Sequence, residues 1–356
     1  MMSYVLAGQT LAGLSDELRI ENPDYLREYH NENCSLVEHF DEDIEEGMRI
    51  HVPNATEIVK INQKIRENNE SLYDFPENGK FKFDFSLWEG TYQITQSSFL
   101  NDELINTNEN KFHLEFENTK NNCYNFLYSA FDFYRNNEES DGKASSLSQK
   151  CMEIIYPIRL IVNANGKLIN AELSKTISEI YPKLDELKDF FIDEFSSQFI
   201  EKLKAILNDP KTVSEKFSNT LLNSFLFGSF YDVKLKEWTT SSLYQDFLPW
   251  IWDADKIRFE FQNRILPKEN LVDEYLKIHQ KGICSDYRKM EELYYSEFSE
   301  EEFEINNDSI HCEHEAEYIF NRENRELQRI EASFQNFIND NIEKEIFLLE
   351  KIVENN

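Results

Sequence analysis

The chain has 356 residues, of which 40% are apolar and 14% aromatic: enough length for two or three domains and one sizeable core, and too apolar for a disordered chain. With 68 acidic against 37 basic residues the net charge is −31, which repels nucleic acid and anionic membranes, so neither is expected as a partner. Only 9 glycines, with no Walker-type or G-x-G-x-x-G run, speak against a phosphate-cradling loop, and 5 widely spaced cysteines without a C-x-x-C pair indicate neither a disulfide framework nor a zinc ribbon.

The opening "MMSYVLAGQT" lacks a basic segment followed by a long apolar one, and no run approaches about 18 apolar residues, so a cytoplasmic location without signal peptide or membrane helix is expected. Residues 3–53 read as one small βααβ unit. A short strand leads to a turn at Gly8. Thr10 can cap a helix whose Leu11, Leu14 and Leu18 share one face. A second helix, "PDYLREYHNEN", leads through the acidic stretch "CSLVEHFDEDIEEG" (34–47) to a closing strand that ends at Pro53.

Residues 54–80 are polar and read as a linker with about two helical turns. Beyond it, 81–356 is expected to be one larger α+β domain. "KFKFDFSLWEGTYQITQ" (80–96) alternates with period two, placing Phe81, Phe83, Phe85 and Leu87 on one side of a strand; 111–118 and 123–136 continue the pattern. A polar loop over 136–150 precedes two strands within 152–173, joined at Asn165-Gly166, the strongest hairpin signal in the chain. Three- and four-residue spacing then marks a helical segment over about 178–230. It is broken at Asp209-Pro210, with Thr212 or Ser214 as candidate caps for the helix that follows. Strands return over 256–265 and 270–283, and the last fifty residues read as an antiparallel meander (309–321, 325–339, 343–354), with a helix pair over 322–354 as the alternative. The whole is an α+β class chain, with a curved antiparallel sheet packed on helices.

The first 53 residues resemble the LysM family. Tyr4, Val5, Leu6, Ala7, Gly8, Gln9, Thr10 and Leu11 follow its opening pattern, Asn31 or Asn33 supplies its central asparagine, and Ile44, Gly47, Met48, Ile50, Val52 and Pro53 its close. The resemblance implies a shallow groove that takes N-acetylglucosamine polymers such as peptidoglycan, walled by Gly8, Gln9, Thr10, Leu11, Ile44, Glu45, Gly47 and Met48. Gln9 replaces the usual acidic residue, and the loop before the last strand is long and acidic. LysM-like modules also dock proteins in contractile tails and type VI secretion systems.

Outside this module, "FLPWIWD" with its neighbours forms a candidate aromatic patch of Trp238, Tyr244, Trp250 and Trp252, set against ordinary core packing. On a strand, Cys312 and His314 of "IHCEHEAE" would share one face, half of a zinc site that needs further ligands; no metal or other cofactor is expected. No nucleophile–base motif stands out, so no catalytic residue is assigned. The expectation is a non-catalytic adaptor, structural or effector-loading protein of a contractile injection system, docking to a spike or baseplate protein and itself open to export by that apparatus. The alternatives are a peptidoglycan-binding protein and a secreted effector with an enzymatic domain.

Overall fold

The computed structural model describes residues 2–76, 78–139, 142–235, 243–251, 254–294, 310–338 and 341–352. They form two compact units: residues up to Phe75 together with Ile265–Leu276, and Pro76–Arg264 together with the chain from Lys277 onward.

The first unit runs β1 (Met2–Tyr4), α1 (Leu11–Leu18), α2 (Pro23–Asn33), β2 (Arg49–His51) and α3 (Ala55–Glu67). β1 and β2 pair antiparallel, Ser3 opposite Ile50, so the expected βααβ order is present. Thr10 caps α1 by accepting from the Gly13 amide, and Asn22 caps α2 ahead of Pro23. Leu11, Leu14, Ile20, Leu26, Ile44, Ile50 and Val52 make the core.

The stretch expected to be a linker is instead part of this unit. Asn54 and Glu57 form a reciprocal capping box, which starts a helix of 13 residues where about two turns were expected. Ile58, Ile61 and Ile65 then fall at helical spacing on one face, with Ile65 fully buried in the core. The Asn62 side chain ties α3 to the end of α1, accepting from the Glu21 amide (3.1 Å) and donating to the Arg19 carbonyl (2.7 Å). Arg66 pairs with the buried Glu21 carboxylate at 2.5 Å. The later segment 265–276 joins the unit through Lys268, whose amide donates to the Leu72 carbonyl (2.7 Å) and whose Nζ pairs with Asp74 (2.9 Å).

The second unit holds β3 (Gly90–Leu100), β4 (Glu103–Lys120), β5 (Cys123–Arg135), β6 (Glu138–Glu139), α4 (Lys143–Ile155), β7 (Ile158–Asn163), β8 (Leu168–Leu173), α5 (Ile177–Phe190), α6 (Glu194–Leu207), α7 (Pro210–Ser218) and α8 (Leu221–Leu226). The chain continues through β9 (Tyr244–Leu248), β10 (Ile257–Ile265), β11 (Tyr275–Cys284), α9 (Met290–Tyr294), β12 (Cys312–Asn321), β13 (Leu327–Ile338) and β14 (Asn341–Lys351), with the last residue of β10 and the first two of β11 counted in the first unit. Among the described residues these strands make one 12-stranded antiparallel sheet in the order β8-β7-β5-β4-β3-β14-β13-β12-β11-β10-β9, with β6 beside β5. The α+β class therefore holds. The terminal meander is present as β12, β13 and β14, and the helix-pair alternative is not.

Several local expectations are corrected. Asp84 accepts from the Ser86 amide and hydroxyl (3.1 and 2.6 Å), turning the chain into a short 3₁₀ helix, so the strand begins at Gly90 rather than near residue 80. Phe85 and Trp88 are thereby buried, while Leu87 is exposed. The polar stretch before the hairpin contains α4, because Leu147, Cys151 and Ile155 repeat every four residues beneath a polar outer face. α7 starts at Pro210 with Asp209 as its cap, ahead of the expected Thr212 or Ser214, and α8 is a separate helix capped by Thr220. Gly166 closes the expected hairpin with φ +82°; a Cβ there would stand 2.3 Å from Phe85 Cζ.

Candidate docking site in the N-terminal module

The two loops expected to wall a groove do lie side by side. The Val5 amide donates to the Met48 carbonyl and the Gly47 amide to the Val5 carbonyl, both at 3.0 Å. Asp43 joins them from the second loop, accepting from the Leu11 amide at 2.7 Å and the Ile44 amide at 2.8 Å. Gly8 and Gly47 both have positive φ, +74° and +81°, and a Cβ on either would meet nothing within 4 Å. The space above both turns is open.

The individual walls differ from expectation. Leu11 and Ile44 are buried core side chains, and their share in the loops is their backbone. Thr10 is occupied as the α1 cap. Gln9 is occupied too: its Oε1 accepts from the Leu6 amide (3.1 Å) and its Nε2 donates to Glu17 (3.0 Å). An acidic residue at this position would repel Glu17. Met48 packs partly against the core, and Glu45 is exposed.

Next to these loops the chain presents a feature that the sequence reading missed. Leu36 and Val37 sit on a 3₁₀ turn and are 86% and 93% exposed. The turn is held at its end by α2. The buried His30 accepts from the His51 amide at Nδ1 (3.0 Å), so its Nε2 carries the proton and donates to the Glu38 carbonyl (2.9 Å). Asn31 grips the Phe40 backbone on both sides, at 3.1 and 3.3 Å. Asn31 is thus the asparagine that organises the loop, while Asn33 bonds back to Tyr29 within α2. The Ser35 hydroxyl and amide hold the Glu38 carboxyl below the usual carboxylate range and complete a capping box. The sequence signal was Ser35-x-x-Glu38, and nothing local marks Leu36 and Val37 as unburied. After the turn follow Asp41, Glu42, Asp43, Glu45 and Glu46.

Of the candidate aromatic patch, the structure describes Tyr244 and Trp250. Trp250 is buried, stacked on Phe334 at 5.4 Å and set edge-on to Phe225 at 5.6 Å. Tyr244 accepts from Gln280 at 2.6 Å and lies 5.3 Å from the Phe261 ring. Trp238 and Trp252 lie outside the described residues.

Cys312 and His314 do share the inner face of β12, with Glu313 and Glu315 on the outer. His314 Nε2 meets Gln280 Oε1 at 3.0 Å within a box of Phe225, Trp250, Phe259 and Phe261. Burial there pushes its pKa down to about 3. Among the described residues no cluster of three His, Cys, Asp or Glu side chains is arranged to hold a metal ion. None of the described helices is long and apolar enough to cross a membrane.

No family model and no curated protein matches the chain. Among solved structures, lipovitellin, described for its lipid–protein interactions, is 11% identical with a TM-score of 0.35 over 74% of this chain and 24% of its own. A protein of unknown function of the DUF3598 family from Nostoc punctiforme is 9% identical with a TM-score of 0.12 over 76% of this chain and 100% of its own. The chain spans about a quarter of lipovitellin, and likenesses this loose carry no argument.

Proposed function

We propose that the chain is a non-catalytic docking protein whose LysM-like N-terminal module binds a protein partner. The observation that carries the reading is the Leu36–Val37 pair, held outward on a pinned turn and followed by five acidic residues within 41–46. Such a surface fits an apolar pocket rimmed by Lys and Arg, with the pair as buried anchor and the acids at the rim. On the larger unit, Phe190, Ile192 and Phe195 stand exposed around the α5–α6 turn, a second apolar surface of the kind an adaptor needs. Spike and baseplate proteins of a contractile injection apparatus are the partners to try first.

The open space above Gly8 and Gly47 favours a second reading, a groove for N-acetylglucosamine polymers. One experiment separates the two. The intact protein and its Leu36→Ser/Val37→Ser variant are titrated against purified spike and baseplate proteins, and sedimented with purified peptidoglycan. Burial of the two side chains is worth about 3 kcal/mol together, so the variant should bind the protein partner about 100-fold more weakly. Sedimentation with peptidoglycan, unaffected by the variant and with no protein bound, would overturn the docking reading in favour of the glycan one.

A further inference from the structure

Gly282 in β11 lies directly against His314 in β12: a Cβ on Gly282 would stand 3.1 Å from His314 Cβ. On neighbouring antiparallel strands so close an approach belongs to residues that face each other. Moving two residues onward along β11 and two back along β12 keeps to the same face and sets Cys284 opposite Cys312. The Gln280–His314 hydrogen bond of 3.0 Å is the diagonal contact that this register demands. Opposed residues in antiparallel strands have Cα atoms about 4.5 or about 5.5 Å apart, according to the kind of pair. Both values fall inside the span of about 4.4–6.8 Å that a disulfide bridges. Both thiols are free, Cys312 buried and Cys284 half-buried at the end of its strand.

We propose that Cys284 and Cys312 are a reversible cross-strand dithiol, oxidised by low-molecular-weight disulfides to a bridge between β11 and β12. Cys284 is the attacking thiol because it is the one that solvent reaches. The neighbouring Cys312 thiol draws the Cys284 thiol below its ordinary range against the opposing effect of burial, while Cys284 and burial push Cys312 up. The Cys284 thiolate attacks one sulfur of the small disulfide, and the first small thiolate leaves. Cys312 then attacks the Cys284 sulfur, gives its proton to solvent and expels the second small thiolate. The two protein thiols are oxidised, and one disulfide is reduced to two thiols.

The test treats the reduced full chain with oxidised glutathione under native conditions, quenches in acid, and maps peptides by mass spectrometry. The expected product links the Cys284 and Cys312 peptides with loss of two hydrogens, and dithiothreitol reverses it. Cys312→Ser should instead trap glutathione on Cys284, and Cys284→Ser should leave Cys312 unmodified. The proposal is overturned if the wild type keeps both as thiols, or carries glutathione on Cys284 to the same extent as Cys312→Ser.

Discussion

Replacing Ile65 by Ala tests whether α3 belongs to the first unit. Ile65 is fully buried, among Leu14, Ile20 and Leu26 of the same core cluster. Truncating a buried Ile to Ala costs about 2–5 kcal/mol, from the lost transfer energy and the cavity left behind. The Asn62 and Arg66 bonds to residues 19–21 hold the helix in place, so the site has little freedom to collapse, and about 3 kcal/mol is the working figure. That raises the population of the open unit about 100-fold. Tryptophan fluorescence would not see it, because no tryptophan occurs in the stretches that build the first unit. Hydrogen exchange of peptides from residues 11–33 is the suitable assay, with Val59→Ala, on the exposed side of the same helix, as control. Exchange in Ile65→Ala within twofold of wild type would refute the placement of α3 in this core.

Other expectations are equally direct. Trp250→Ala should cost the second unit about 3–5 kcal/mol in urea unfolding, since its ring stacks on Phe334, whereas a surface platform residue would cost little. Gly166→Ala should destabilise the same unit, because it combines φ +82° with a clash against Phe85; a midpoint unchanged from wild type would count against the turn as described. Acid should act through His314. Its imidazole takes a proton near 6.5 when unfolded but resists until about 3 when folded, so the unfolded state binds more protons and stability falls as pH drops through that window. The slope from this one group is up to about 1.4 kcal/mol per pH unit. His314→Gln should therefore lose less stability than wild type between pH 7 and 5, and parallel curves would contradict the burial argument.

What could be read from the sequence follows from how local each signal is. The hairpin at Asn165-Gly166 and the alternation in β10, β12 and β13 rest on residues within a few positions of each other, and these elements stand where expected. α3 had an equally local signature, Asn54-x-x-Glu57 followed by Ile58, Ile61 and Ile65, yet its polar surroundings made it resemble a linker. Its burial depends on Arg19 and Glu21, some forty residues earlier. Trp250 carries the same ambiguity: an aromatic residue suits a sugar platform or a core, and only Phe225 and Phe334, distant in sequence, decide for the core. In the candidate docking site the glycine turns and the Thr10 cap were legible. The roles of Asp43 and His30 were not, because each acts on the backbone of another segment.

The first unit is assembled from two separate stretches of the chain, up to Phe75 and again over Ile265–Leu276. No single cut can therefore divide the protein into its two units. A fragment ending at Phe75 lacks the strand of chain that Lys268 anchors through Leu72 and Asp74, and the remainder carries that stretch without its neighbours. Truncation mapping, the usual way to assign binding to one half of a protein, would lower the integrity of both halves at once. Point substitutions in the intact chain are the instrument that this connectivity permits.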